Sequence, residues 1–286
     1  QYCLTTDRVK KIAEINNQKR VEKIQNNIIY KNLIELYKKL SLPTNEEIIS
    51  KANELIENKF LTKKGKLLKF RGDKDKRYDN KEKYAYVEDS MDCFSQLWEN
   101  GYSLKTIKVS EKCDRLTDPL NLSPSWIRSL IKIDGEQIAE ADYTCLHPNL
   151  VQNIMGGTGN HISHKSVAES LEMDLREVKI EHLSFFNKKV WAMQKSPLYA
   201  YYKKNEPEML KRVIGDKYTK GYTHITYKLF KLEVEIMTNV IAQLNDMGIY
   251  VMYVYDALYT KQSEFETVKN IMNQTIKDFG INTFVK

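Results

Sequence analysis

The sequence predicts an α+β fold in which helices back an antiparallel sheet, with a helical N-terminal region ahead of it. Three observations lead there. Apolar residues recur at helical spacing through the first sixty positions. Two short apolar runs, IAEADYTCLHPNL and IYVMYVYDALYT, read as strands. Amphipathic stretches of helical length lie between and after them. The second half therefore runs strand, helix, helix, strand, helix, strand, an order that suits an antiparallel sheet with helices packed on it.

From Thr6 to Asn58, three apolar sets mark three helices: Val9, Ile12 and Ile15; Ile28, Ile29, Leu33 and Leu36; Ile48, Ala52 and Ile56. Leu42 and Pro43 separate the second helix from the third, and Asn45 with Glu46 and Glu47 starts the third with an acidic first turn. FLTKKGKLLKFRGDKDKRYDNKEKY then alternates apolar and basic residues around Gly65, as a hairpin does. Its Lys and Arg side chains suit phosphates, and a solvated charged loop is the plainer reading. Val87 to Trp98 returns to helical spacing. CDRLTDPLNLSPSWIRSLIKIDG is a loop and short helix, with Asp134-Gly135 offering a tight turn that puts Asp142 on the outgoing strand of a hairpin. Leu146 to Met155 reads as a helix, and Glu169 to Trp191 as a longer amphipathic one with basic residues on one side. Tyr227 to Met247 is a further helix, stopped by Gly248. Ile249 to Thr260 reads as one strand, with Val251, Tyr253 and Tyr255 on one face and Met252, Val254 and Asp256 on the other. A helix from Glu264 to Phe279 and a strand from Asn282 to Val285 follow.

A length of 286 residues allows one large domain or two smaller ones. With 45 Lys and Arg against 38 Asp and Glu, the formal charge of +7 suits a polyanionic partner without assigning one. Cys3, Cys93, Cys113 and Cys145 are scattered, with no CxxC pair and no zinc spacing, which points to a reducing compartment. No apolar run approaches the ~20 residues that cross a bilayer, and the N-terminus lacks a charged-then-apolar signal pattern. The expectation is a soluble cytoplasmic protein, in the host cytoplasm if a virus or mobile element encodes it. The Lys, Asn and Ile bias fits an A+T-rich genome.

The chemistry concentrates in two aspartates, Asp142 and Asp256, each within an apolar strand run. A carboxylate buried there without a partner costs on the order of several kcal/mol, and two facing each other repel. A divalent cation resolves both problems. Mg²⁺ takes few protein carboxylates and completes its octahedron with water and substrate phosphates, which suits phosphoryl or nucleotidyl transfer. The alternative is a pair of buried aspartates that cap turns or meet basic residues.

The stretch DRLTDPLNLSPSWIRSLIKIDGEQIAEADYTCLHPNL carries a resemblance. It resembles the segment of family A DNA polymerases, and more distantly of single-subunit phage RNA polymerases, that runs from a GRLSS-and-PNLQN-like loop into the DYSQIELR motif. It is also similar to compact members of that superfamily from viruses and mobile elements. The matching pieces are Arg115-Leu116, Asp118-Pro119 with Asn121-Leu122, Arg128, and Asp142-Tyr143-Thr144. YVYDALYT resembles the superfamily's HDE or HDS motif, and NIMNQTIKDFGINTFVK its final helix and strand.

The resemblance covers about residues 113 to 286. It implies a polymerase palm at 113–286, with a reduced fingers insertion at about 156–230 and no room for a proofreading exonuclease. The N-terminal region, 1–112, becomes a thumb-like unit that binds nucleic acid through its basic hairpin. Asp142 and Asp256 are implied to hold two Mg²⁺ ions, with Mn²⁺ as a substitute, and the Tyr143 carbonyl to add a ligand. The best matches to the fingers motif are Arg176, Lys179 and Asn187. Arg176 and Lys179 would face the triphosphate, and Lys179 would also donate a proton to pyrophosphate. Arg115 would contact primer-template, with Asn121 in the same loop, and Arg128 would approach the triphosphate or template. For each basic residue a salt bridge or solvated face is the plainer alternative. The implied activity is template-directed addition of nucleoside triphosphates to the 3′-end of a primer-template, by a DNA polymerase. An RNA polymerase or primase-like enzyme, or a non-catalytic palm serving as a replication factor, are the alternatives.

Three departures from the family pattern involve five residues. His147 stands where a glutamate normally packs under the sugar, Tyr255 and Ala257 flank the second aspartate, and Asn187-Lys188 replaces Tyr-Gly. The histidines His161, His164, His182 and His224 include an i, i+3 pair, yet no carboxylate or cysteine joins them at ligand spacing. Gly156, Gly157 and Gly159 lack phosphate-loop spacing. The run PLYAYYKK and Trp191 are either base-stacking residues or core.

Overall fold

A computed structural model describes residues 11, 18, 21–22, 24–62, 65–72, 82–98 and 107–286. The helix expected at Val9, Ile12 and Ile15 and much of the basic run after Gly72 lie outside them. Helix α1 (Ile28–Tyr37) is capped by Asn27, whose side chain accepts from the Tyr30 amide. Strand β1 (Leu40–Ser41) follows, and Pro43 leads into α2 (Asn45–Glu57). Thr44 opens α2 with a capping box: its hydroxyl accepts from the Glu47 amide while the Glu47 carboxylate accepts from the Thr44 amide.

The hairpin expected around Gly65 is present only as a turn. Thr62 and Lys66 bond across it and Leu61 bridges Leu67, but β2 (Leu67–Lys69) pairs in parallel with β3 (Tyr84–Tyr86). Leu68 is buried in that pairing, which a solvated basic hairpin would leave in water. Helix α3 (Val87–Trp98) spans the residues its spacing predicts. Strands β4 (Lys108–Val109) and β5 (Leu116–Thr117) pair antiparallel, and two one-turn helices come next, α4 (Pro119–Leu122) and α5 (Ser125–Arg128).

Strands β6 (Lys132–Ile133) and β7 (Glu136–Asp142) form the predicted hairpin. Asp134 and Gly135, with φ of 51° and 79°, supply the two left-handed residues that a tight turn of matching twist needs. Helix α6 (Leu146–Met155) begins just after β7. The single helix expected from Glu169 to Trp191 is instead three: α7 (His164–Leu171), α8 (Leu175–Phe185) and α9 (Val190–Gln194). Glu172 turns left-handed at φ 52°, and Asp174 restarts the chain by accepting from the amides of Arg176 and Glu177. Helices α10 (Pro197–Asn205), α11 (Pro207–Thr219) and α12 (His224–Asp246) complete this helical block.

The strand expected over Ile249–Thr260 is a hairpin, β8 (Met252–Val254) and β9 (Ala257–Lys261), turning at Tyr255-Asp256. Helix α13 (Phe265–Asp278) follows. The last strand expected, Asn282 to Val285, reduces to one bridge between Tyr143 and Val285.

Five strands make one sheet in the order β1-β6-β7-β9-β8, every pairing antiparallel. Residues before 113 thus share a sheet with residues after it. Helix α12 packs on α1 and α13, α13 lies against β7, and α1 lies against β8. Ile236, Met237, Val240, Ile241 and Leu244 of α12 are buried, each contributing about 1.5–3 kcal/mol. Asn32 of α1 donates to the Val251 carbonyl at 2.7 Å and accepts from its amide at 3.0 Å, so the strand enters the core with its backbone satisfied.

Candidate active site at one end of the sheet

Asp142 is the last residue of β7, and its partner across the ladder is Ala257, the first residue of β9. Asp256 immediately precedes Ala257 in the β8–β9 turn. Sequence-distant aspartates therefore sit side by side at the same end of adjacent strands. The expectation that both lie in the middle of strands is corrected. Asp142 is exposed and Asp256 half-buried, because β7 ends at the first and the chain reverses at the second. Such access is what a cation that keeps water and phosphate ligands requires.

The turn is strained: Tyr255 has φ 59°, a region that non-glycine residues enter at a cost. Arg115 holds it. Its guanidinium lies 4.7 Å from the Tyr255 ring centroid and 3.5 Å from that of Phe230. Glu233 of α12, fully buried, fixes the guanidinium in turn: Nε donates to Oε1 at 2.8 Å and Nη2 to Oε2 at 2.5 Å. His147 Nε2 lies 2.8 Å from the same Oε2. Burial pushes the Glu233 carboxyl up, but His147 and Arg115 more than offset it and hold the group below the usual carboxylate range. The Asp256 carboxyl is raised, first by burial and then by the negative charge of Glu233. A carboxyl raised in this way is stabilised as an anion by a nearby cation.

Glu233 escaped sequence reasoning. The available signal was a carboxylate on the apolar stripe of α12, one turn after Leu229 and ahead of Ile236 and Met237.

Other predicted residues are placed differently. Arg128 is buried, donates to the carbonyls of Leu120 and Ser123, and reaches the Tyr259 hydroxyl at 3.3 Å. Asn121 belongs to the capping box of α4, exchanging bonds with Asp118 and donating to the Leu116 carbonyl. Burial pushes Asp118 up to about 6 against the Tyr37 hydroxyl that donates to it at 2.6 Å. The Tyr143 ring is buried and its hydroxyl donates to the Met272 carbonyl. Arg176 and Lys179 share α8, where Lys179 is exposed and Arg176 donates to the Thr62 carbonyl at 3.3 Å. Asn187, just past α8, accepts from the Thr226 hydroxyl at 2.7 Å.

The histidine pair does not converge. His161 meets the Asn282 carbonyl, while His164 Nδ1 lies 3.1 Å from His182 Nδ1. Among the described residues, no three or more His, Cys, Asp and Glu side chains form a group able to hold a metal. Asp142 and Asp256 are the two carboxylates at this end of the sheet that could contact a cation holding most of its ligands as water.

The fold is polymerase-like, a mixed helical structure on an antiparallel sheet. Among solved structures the chain is similar to the POL domain of Pol1 from M. smegmatis, in complex with DNA primer-template and dNTP. The TM-score is 0.52 at 11% identity, over 90% of this chain and 68% of that one. No protein-family model matches, and no curated protein does.

Proposed function

We propose that the chain is a template-directed nucleic-acid polymerase, a nucleotidyltransferase that extends a 3′-end with nucleoside triphosphates, with DNA as the favoured product. The observation that carries this reading is the pairing of Asp142 with the β9 start, which sets it beside Asp256 at the open end of a sheet in a polymerase-like fold. Asp142 and Asp256, with the Tyr143 carbonyl, would hold Mg²⁺. An ion held there would supply positive charge that favours deprotonation of an attacking hydroxyl and offsets phosphate charge.

The chain's own residues have the remaining tasks. Arg115, locked by Glu233, keeps the Tyr255-Asp256 turn in place. Lys179, exposed on α8, is free of burial and available to a triphosphate and to the departing pyrophosphate. Arg176 must leave the Thr62 carbonyl to join it. In this reading the helices between about 156 and 230 are reduced fingers, and the region before 113 holds duplex as a thumb does. Arg128 and Asn121 support the loop between β5 and β6 rather than touch substrate.

The test is primer extension by the full chain on primed templates, with deoxyribonucleotides and ribonucleotides offered in parallel in Mg²⁺ or Mn²⁺. Asp142→Ala and Asp256→Ala abolish incorporation while leaving nucleic-acid binding intact. Incorporation by either variant at the parent rate refutes the assignment.

A further inference from the structure

The three tryptophans divide sharply. Trp98 and Trp126 are 9% and 7% exposed, whereas Trp191 is 61% exposed. Val190 and Met193 turn the other face of α9 into the core, so the Trp191 indole has no route inward. Two more aromatics emerge in the same part of the molecule: Tyr218 near the end of α11 at 73% and Tyr222 ahead of α12 at 44%. Lys217 ties the segments together. Its buried ammonium donates to the carbonyls of Phe186, Lys188 and Tyr222 at 2.7, 2.9 and 3.0 Å.

Lysines lie against these rings. Lys195 Nζ is 5.3 Å from the Trp191 ring centroid and Lys189 Nζ is 5.6 Å from that of Tyr222. Their neighbours are neutralised, Lys188 by Glu181 and Lys220 by Asp216. Lys189 and Lys195 form no ion pair with any described residue. Exposed aromatic faces beside unneutralised ammonium groups call for a partner with flat π surfaces and regularly spaced negative charge. A single-stranded nucleic acid has both, alternating bases with phosphates, whereas a duplex hides its base faces.

We propose that Trp191, Tyr222 and Tyr218, with Lys189 and Lys195, form a stacking platform for single-stranded nucleic acid. The polymerase reading enters only in naming the strand, an unpaired stretch of template. Binding itself requires neither metal nor nucleotide.

The experiment titrates the full chain, without Mg²⁺ or nucleotides, with a single-stranded oligodeoxynucleotide, a single-stranded oligoribonucleotide and a blunt duplex. Tryptophan fluorescence and the anisotropy of labelled strand are followed together. Because the other two tryptophans are buried, quenching reports on Trp191. The expected result is quenching by either single strand and weaker quenching by duplex. Trp191→Phe removes the quenching but keeps affinity within about twofold, and Trp191→Ala weakens binding about fivefold or more. Adding Tyr222→Ala weakens it again, while Met247→Ala, at an exposed apolar site elsewhere, leaves it unchanged. Unaltered fluorescence, or parent affinity in the Trp191→Ala/Tyr222→Ala variant, overturns the proposal. Quenching by single strands in a protein that incorporates no nucleotide would retain the platform and remove the polymerase reading.

Discussion

Asp142 and Asp256 lie side by side but in unlike surroundings. Asp142 is exposed at the end of a strand, while Asp256 sits in a turn near the charges of Arg115, His147 and Glu233. The turn's geometry depends on one buried ion pair, because Arg115 contacts both the Tyr255 ring and the Glu233 carboxylate. Glu233→Ala leaves a mostly buried guanidinium without its counter-charge, and removing one partner of such a pair costs roughly 3–5 kcal/mol. Urea unfolding of the variant should show that loss; a change below about 1 kcal/mol would mean that Arg115 finds solvent or another partner. Sequence reading reached both aspartates, Arg115 and His147 but not the glutamate that joins them. Only the fold brings α12 against α6 and beside Arg115, so a lone acidic residue on an apolar stripe had no visible partner.

Among the elements, those legible in sequence carried their own local chemistry. Asp134-Gly135 announces a left-handed two-residue turn, and Gly248, at φ 74°, announces the stop after α12. Elements held by tertiary contacts were not legible. Tyr255-Asp256 carries no turn signature, and Arg115 stabilises its positive φ from more than a hundred residues away. Apolar spacing continues through Leu171, Leu175 and Val178, which concealed the break between α7 and α8. The cap that restarts α8 is testable. Asp174→Ala removes the acceptor for two amides and should cost about 1 kcal/mol in thermal or urea unfolding. An unchanged stability would show that solvent caps α8 equally well. The same variant should also lower primer extension if α8 presents Lys179 to a triphosphate.

For the molecule as a whole, two buried histidines in the helical block predict a loss of stability in acid. His164 and His182, from α7 and α8, meet ring to ring, and the Tyr202 hydroxyl of α10 lies 2.9 Å from His182 Nε2. Burial lowers His164 to about 4, helped by Lys179 and Lys286, and lowers His182 to about 3, helped by His164. Both are therefore neutral in the folded protein at neutral pH. The unfolded chain takes up these protons near the ordinary value of 6.5. The stability they contribute is complete above 6.5 and is lost as pH falls through that value toward 4. His182→Gln should flatten the fall in melting temperature over this window; a parallel fall would place the acid sensitivity elsewhere.

The basic N-terminal region and the sheet share one core, since β1 pairs with β6 and Tyr37 bonds Asp118. Under the proposed function, a duplex held by the first part would keep a fixed relation to the aspartates. The most direct measurement is single-nucleotide incorporation on a primed template in Mg²⁺, comparing the parent chain with Asp142→Ala and Asp256→Ala. A catalytic aspartate pair predicts incorporation by the parent and none by either variant, with equal primer-template binding by all three. Incorporation that survives either substitution, or a parent chain inert with every nucleotide and template, would contradict it.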